Sequence, residues 1–132
     1  MMIDWIDHYK IGVDKIDRQH EEIISTINQL IILHEAAKDK NAVMTVFIGL
    51  INYFIYHFER EEILMSEYGY SDLERRRYEN DMFCNNLEIA KLDYINGDLP
   101  SLAYIIDYIK IWLIDHIVIE DKKFSSECGL TV

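Results

Sequence analysis

Residues that interrupt helices are scarce in this chain, which has one proline and five glycines in 132 residues. Because proline and glycine are the poorest formers of helix interiors, their scarcity permits long uninterrupted helices. Cysteine is also scarce. The spacing of the two cysteines, Cys84 and Cys128, fits neither a metal motif nor a disulfide framework. We expect both to be reduced thiols in an intracellular protein.

Positive charge is in short supply as well. The chain has 13 Lys and Arg against 24 Asp and Glu, a formal net charge of −11. Nucleic acid and anionic lipid would repel such a chain, so we expect neither as a partner. The longest apolar run contains Asn52 and stops at His57, short of the roughly 20 residues that a membrane span needs. The N-terminus has no basic and apolar leader, and we therefore predict a cytoplasmic protein.

Apolar residues are abundant and recur at helical spacing; they make up half of the sequence. A chain of this length can bury one core but not two, so we predict a single domain over residues 1–132. Helices of similar length joined by short turns alternate in direction. This pattern predicts an all-α fold, an up-down-up-down antiparallel four-helix bundle with an N-terminal arm. The predicted ranges are 1–15 for the arm and 16–38, 42–67, 72–94 and 99–124 for the helices.

Local signals indicate where these helices begin and end. Gly69 is a natural left-handed stop for the second helix, and Asn41 is a candidate cap at its start. Residues 71–74, Ser-Asp-Leu-Glu, have the pattern of a capping box that opens the third helix. Asp98, just before Leu99 and Pro100, predicts the start of the fourth helix.

His57 and Glu61 stand four residues apart at the end of the most apolar predicted helix. On a helix, this spacing places both side chains on one face, one turn apart. An imidazole and a carboxylate on an inward face are suitable ligands for one metal ion. The alternative is an ion pair that closes the end of a core helix.

Three further candidates stand on predicted inward faces: His20 on the first helix, and His116 and Asp121 on the fourth. Asp121 follows His116 by five positions, which places it about 140° round an ideal helix. Both can reach one site only from two sides, or if the helix loosens between them. His34 lies roughly 21 Å along the first helix from His20 and cannot share a metal with it. His8, on the arm, is expected to be exposed.

The chain resembles the single-domain bacterial hemerythrins over nearly its whole length. The matching positions are Trp5, Gly12, residues 16–20, Asn28, residues 57–62, Met65, Gly69, Tyr70, Phe83 and residues 112–121. The resemblance implies a four-helix bundle that holds two bridged non-haem irons. In that family, five histidines and two bridging carboxylates bind the pair, and oxygen binds at an open position on one iron.

Carried over by position, the resemblance assigns His20 and His57 to the iron that binds oxygen. It assigns His116 to the second iron and makes Glu61 and Asp121 the bridging carboxylates. The family places two more histidines, four residues apart, on the third helix. Both of these are absent here.

Arg76 and Asn80 occupy the two replaced ligand positions, and both fall on the apolar stripe of the third helix. An arginine cannot bind a cation, because it carries only donors and stays protonated. We expect the Arg76 guanidinium to fill the space of the second iron and to pair with Glu61 or Asp121. The alternatives are that Arg76 belongs to a solvated basic run, and that Asn80 is a hydrogen-bonded core amide or a weak ligand.

Three function classes remain in view, and the first is favoured. It is a non-enzymatic metal-binding protein that binds, stores or senses oxygen or a similar diatomic molecule. We expect it to hold one iron rather than two, or another divalent metal in place of iron. The second is a degenerate, metal-poor module for signalling or protein interaction, whose protein partner the sequence leaves open. The third, a ferritin-like enzyme, uses Glu-x-x-His repeats. The chain has no such repeat, and we predict that it is not an enzyme.

Overall fold

The computed structural model describes residues 2–36, 39–97 and 100–130, and most of them are helical. The arm contains one short 3₁₀ turn, Asp7–Tyr9. The α-helices are α1 Asp14–Glu35, α2 Lys40–Glu67, α3 Leu73–Ile95, α4 Pro100–Asp115 and α5 Lys122–Glu127. A π-helix, His116–Asp121, joins α4 directly to α5, so the three segments make one continuous fourth helix.

The helices pack in sequential order. Helix α1 packs on α2, α2 on α3, and α3 on α4, while contacts between α1 and α4 close the bundle. Short connections between consecutive helices make them antiparallel. The predicted all-α, up-down-up-down four-helix bundle is confirmed.

Helix ends differ from the prediction by a few residues. Helices α1 and α2 begin two residues earlier than predicted, at Asp14 and Lys40, and α3 ends at Ile95. Gly69 has a φ of 64° just beyond α2, as the predicted left-handed stop requires. The predicted ends at Lys38, Asp98 and Leu99 lie outside the described residues. The assignment of residues 1–132 to one domain stays a prediction.

The predicted capping box is wrong. Asp72 precedes α3, but its side chain makes no capping hydrogen bond. Its carboxylate accepts instead from Arg75 Nε at 2.8 Å, and the Ser71 hydroxyl donates to Glu127 at 2.8 Å. Charged partners from neighbouring turns compete successfully with the weaker backbone donors. Asn41 is likewise not the cap of α2, because the Asp39 side chain accepts from its backbone N–H.

Helix α2 is long and apolar enough, by length and composition, to cross a membrane, with a mean hydropathy of 1.3 in its most apolar window. Within the bundle, 39% of that window is buried. A helix packed between two neighbours in a core has the same composition. Packing in the bundle therefore accounts for part of the apolar character of α2.

An aromatic cluster lies under one end of the bundle core. Phe54 and Phe83 meet edge to face with ring centroids 4.9 Å apart, and Phe83 stacks on Trp112 at 3.9 Å. Trp112 in turn stacks on the His116 ring at 4.9 Å. Because stacked rings in a close-packed core have little freedom, this cluster fixes the position of the His116 imidazole.

We expect Cys84, one of the two free cysteines, to be a slow nucleophile. Burial, with Asp81 and Glu62 nearby, raises the pKa of the Cys84 thiol to about 12. At pH 8, well below that pKa, the thiolate is a very small fraction of the thiol. Alkylation by iodoacetamide should therefore be at least about tenfold slower than for an exposed thiol, and should accelerate as the pH rises toward the pKa. Peptide mass spectrometry over time measures this rate, and labelling of Cys84 as fast as a model peptide would contradict the prediction.

Candidate metal centre

Five buried side chains converge between the helices on one point. They come from α1 (His20), α2 (His57 and Glu61) and the π-helix (His116 and Asp121). One potential ligand atom from each residue lies within 4.8 Å of the others. All five are at most 3% exposed. The structure thus brings together every residue that the sequence proposed as a ligand, while their metal-binding roles stay a prediction.

Neighbouring ligand atoms in the cluster are separated by about 3 Å. His20 Nε2 lies 3.2 Å from His57 Nε2 and 3.0 Å from Asp121 Oδ2. His116 Nε2 lies 3.0 Å from the same Asp121 oxygen, and His57 Nε2 lies 3.1 Å from Glu61 Oε2. Ligands at right angles, with metal bonds of about 2.1 Å, are separated by about 3.0 Å. The spacing therefore suits a single ion with imidazole and carboxylate ligands.

Several of these atoms are buried without a hydrogen-bond partner. Within the described part of the chain, these include Glu61 Oε2, Asp121 Oδ2 and His116 Nε2. Each lies at ion-pair distance from a neighbouring group, 3.1 Å between Glu61 Oε2 and His57 Nε2 and 3.0 Å between Asp121 Oδ2 and His116 Nε2, but makes no hydrogen bond. Buried polar atoms without partners destabilise a fold unless something else binds them. A cation at the centre of the cluster would satisfy all three, so the residues present fit a metal ion.

The π-helix explains how His116 and Asp121 reach the same point. A π-helix closes its hydrogen bonds between residues five apart, so side chains with this spacing share a face. In an α-helix the same pair would diverge by about 140°. The structure therefore adopts one of the two predicted arrangements, in which the helix loosens between the two residues. Isolated π segments of this kind are frequent at functional sites.

Gln19 fixes the orientation of the His57 ring. His57 Nδ1 donates to Gln19 Oε1 at 2.7 Å, which leaves Nε2 facing the cluster. Burial lowers the pKa of His57 more than the nearby Glu61 carboxylate raises it, so the neutral ring is favoured. A neutral imidazole whose outer N–H is held by an acceptor is the usual form of a metal ligand. This role of Gln19 was not predicted from the sequence, although its place beside His20 could have suggested it.

Replacing Gln19 by leucine should weaken metal binding about 10- to 100-fold, because His57 loses the acceptor that sets its tautomer. Gln29→Leu is the matched control, since Gln29 is exposed on the same helix. Titration of Zn²⁺ against a chelator of known affinity measures the effect. Equal affinities of the Gln19 and Gln29 variants would contradict the assigned role.

Arg76 points into the bundle, and its side chain is only 1% exposed. Its Nη2 donates to Glu61 Oε1 at 2.8 Å and to Asp121 Oδ1 at 2.6 Å. Its Nη1 donates to the backbone oxygen of Glu120 at 3.1 Å. The solvated alternative for Arg76 is wrong.

Each carboxylate contacts both Arg76 and the histidines, and Glu61 Oε1, at 3.2 Å from His116 Nε2, is shared between the two. Glu61 Oε1 and Asp121 Oδ1 contact the guanidinium, whereas Glu61 Oε2 lies near His57 and Asp121 Oδ2 lies near His20. Each carboxylate therefore faces a fixed cation on one side and the ligand cluster on the other.

Asn80 is buried, and its side chain bonds to Glu62, which is not one of the five clustered residues. Its amide nitrogen donates to Glu62 Oε2 at 3.0 Å, and its Oδ1 has no hydrogen-bond partner among the described residues. The contact with Glu62 favours the interpretation of Asn80 as a core amide.

Charges within the cluster favour ionised carboxylates. Burial raises the pKa of Glu61, but the adjacent His116 and His57 outweigh it and hold the pKa well below its usual value. Burial and the neighbouring Glu61 raise the pKa of Asp121, but His116 and Arg76 lower it by a larger amount. The pKa of Asp121 therefore lies below its usual value. Metal binding therefore requires no loss of protons from either carboxylate.

Neighbouring groups shift the pKa of His116 in opposite directions. Burial lowers its pKa, but Asp121 and Glu61 outweigh it and raise the pKa to about 9. Arg76 Nη2, at 3.3 Å from His116 Nδ1, favours the neutral ring instead. The carboxylate oxygens, at 3.0 and 3.2 Å from Nε2, are closer, so a raised pKa is the better description of the metal-free site.

The remaining histidines lie elsewhere. His34 is half-buried near the far end of α1, and exposed His8 contacts Lys122. Within the described residues, the ligand cluster includes neither of them.

Comparison with known proteins gives matches over nearly the whole bundle. Residues 11–128 match the hemerythrin HHE cation binding domain. A bacteriohemerythrin of Clostridium acetobutylicum is 27% identical over 127 residues, which cover 93% of this chain and 98% of the relative. A bacteriohemerythrin of Stenotrophomonas maltophilia is 28% identical over 126 residues, with 96% and 81% covered.

Solved structures agree on the fold. A wild-type hemerythrin crystal structure superimposes with a TM-score of 0.82 and 22% identity, covering 96% of this chain and 97% of the other. A hemerythrin mutant gives a TM-score of 0.85 at 21% identity, with the same shares covered. The resemblance noted in the sequence is confirmed, and this chain belongs to the hemerythrin family.

Proposed function

We propose that this chain is a hemerythrin-like protein that binds one divalent metal ion, iron in the first place. The ligands would be three histidines and two carboxylates: His20, His57, His116, Glu61 and Asp121. When bound, iron would supply an open position for oxygen or a similar diatomic molecule, together with exchange of one electron.

The observation that supports a single ion is the position of Arg76. Its guanidinium contacts one oxygen each of Glu61 and Asp121, at 2.8 and 2.6 Å. A second cation at this place would meet a fixed positive charge at hydrogen-bond distance, and like charges so close in a buried site repel strongly. Arg76 therefore supplies the second positive centre that the two carboxylates require.

This proposal changes the expected role of the protein. Reversible oxygen carriage at a two-iron centre draws one electron from each iron, and one ion cannot supply both. We therefore propose binding or sensing of a diatomic molecule, without catalysis, rather than ordinary carriage. A cytoplasmic location remains part of the proposal.

The same arginine also supports a second candidate, a metal-poor module that serves in signalling or protein interaction. Because Arg76 gives the buried carboxylates a counter-charge, the pocket keeps some charge balance without a metal. The protein partner of such a module is open. Metal affinity separates the two candidates.

The test is the loss of metal affinity in a ligand variant. His57→Ala should weaken Zn²⁺ and Fe²⁺ binding at least about 100-fold, because it removes an imidazole that the other four groups cannot replace. His34→Ala is the control, since His34 lies outside the cluster. Isothermal titration calorimetry measures both. Weak binding by the unmodified chain, unchanged in His57→Ala, would reject the metal site and favour the metal-poor module.

A further inference from the structure

A groove of about 730 Å³ lies between α1 and α2, separate from the ligand cluster. Its apolar lining includes Val13, Ile16 and Leu64, with the rings of Tyr53 and Tyr56. The two rings lie 5.7 Å apart between centroids. A volume of this size falls within the range of small-molecule sites, which are mostly apolar with a few polar groups.

The groove differs in charge from the rest of the molecule. Three cations line it, Lys15, Arg18 and Arg60, against two carboxylates, Glu22 and Glu67. Its lining therefore carries a formal charge of +1 (three minus two) on a chain with a formal net charge of −11. Cationic and apolar side chains line the groove together, a mixture that suits an amphipathic anion.

The cations in the groove are available to a ligand. Within residues 2–36, 39–97 and 100–130, neither Lys15 nor Arg18 makes an ion pair. Among the described residues, Arg60 pairs only with the adjacent Glu59, at 3.2 Å on the exposed surface, and it lies over the Tyr56 ring at 5.7 Å. Such an exposed pair contributes little and would yield to a ligand.

Gln19 connects the groove to the ligand cluster. It lines the groove, and its Oε1 accepts from His57 Nδ1 at 2.7 Å. No described residue accepts a hydrogen bond from its amide nitrogen, which leaves that nitrogen free to donate to a groove ligand. Gln19 can therefore sense an occupant of the groove while it holds the His57 ring.

We propose that this groove binds a small amphipathic monocarboxylate and that its occupancy changes the metal affinity of the cluster through Gln19. The ligand would place its carboxylate near Arg18 and Arg60 and its apolar body against the two tyrosine rings. The two groove carboxylates disfavour more highly charged ligands such as phosphates. Binding of the carboxylate to the groove does not depend on the proposed function, whereas its effect on metal affinity rests on that function.

The binding step is tested on the full chain without metal, with 4-phenylbutyrate as the probe. Calorimetry should show saturable binding that weakens at least about tenfold when Arg18→Gln and Arg60→Gln are combined. The control combines Lys10→Gln with Lys91→Gln, which removes the same charge outside the groove. Its affinity should be unchanged, and the neutral 4-phenylbutanol should bind at least about tenfold more weakly. Absence of saturable binding, or an equal loss of affinity in both double variants, would overturn the proposal that this groove binds a monocarboxylate.

The coupling step is tested with Zn²⁺ and a competing chelator. Saturating 4-phenylbutyrate should change the Zn²⁺ affinity at least about threefold, and Zn²⁺ should change the ligand affinity by the same factor. In Gln19→Leu, which keeps Arg18 and Arg60, the ligand should still bind saturably, at most about tenfold more weakly for the lost hydrogen bond, but this mutual effect should vanish. An unchanged Zn²⁺ affinity in the original chain would overturn the coupling. Failure of Zn²⁺ to bind at all would reject the proposed function and the coupling, while binding to the groove is decided by the metal-free experiment.

Discussion

Replacing Arg76 and Asn80 together by histidine should raise the metal content from about one to about two ions per chain. The two new imidazoles would lie four residues apart on the inward face of α3, one turn apart. Removal of the guanidinium frees one oxygen each of Glu61 and Asp121, at 2.8 and 2.6 Å from it at present. Elemental analysis of the purified, iron-loaded variant measures the content, and its visible spectrum in air should become dependent on oxygen.

A surface pair of histidines provides the control for this double change. Tyr78 and Met82 have the same spacing on α3 but are 66% and 44% exposed. Tyr78→His with Met82→His can bind a metal weakly at the surface, but a mild chelator should remove it, and no oxygen-dependent spectrum should appear. If the Arg76 and Asn80 variant behaves like this surface pair, the inward site has no room for a second ion.

Arg76→Met should destabilise the metal-free protein by about 3–5 kcal/mol at neutral pH. The change leaves Glu61 and Asp121, both fully buried, without their arginine counter-charge. Urea denaturation followed by circular dichroism measures the free energy of unfolding. Arg77→Met is the control, because Arg77 is 43% exposed and its surface ion pairs should contribute less than about 1 kcal/mol.

The effect of Arg76→Met should also depend on pH. His116 lowers the folded-state pKa values of both Glu61 and Asp121, and Arg76 also lowers that of Asp121, so their ionised forms stabilise the fold above the unfolded pKa values of about 4. This stabilisation is lost as the pH falls through the lowered values. The difference between the original chain and the variant should therefore be largest near neutrality and shrink in acid. A loss of stability that is the same at all pH values would indicate lost packing rather than a lost counter-charge.

The sequence predicted the bundle because its apolar residues follow the helical repeat closely. It also predicted that Arg76 faces inward, since Arg76 shares a stripe with Phe83 and Leu87, which are both buried. Ligand candidates were found because histidines and carboxylates on an apolar face are unusual. In each case, the information lies in local spacing.

Features that depend on contacts between residues far apart in the chain could not be predicted from local spacing. The π-helix forms where Arg76, 44 residues away in the chain, donates to the Glu120 backbone oxygen. The pairing of Ser71 with Glu127 spans 56 residues, and it replaced a capping box that looked plausible from local sequence. The role of Gln19 depends on the ring of His57, 38 residues further on. Packing of one helix on another decides all three.

The ratio of iron to protein tests the central claim most directly. The full chain would be loaded with excess Fe²⁺ under anaerobic conditions, desalted and analysed by inductively coupled plasma mass spectrometry. Because we propose that Arg76 takes the place of one cation, we expect about one iron per chain. Two tightly held irons per chain, with Arg76 and Asn80 unchanged, would contradict this account.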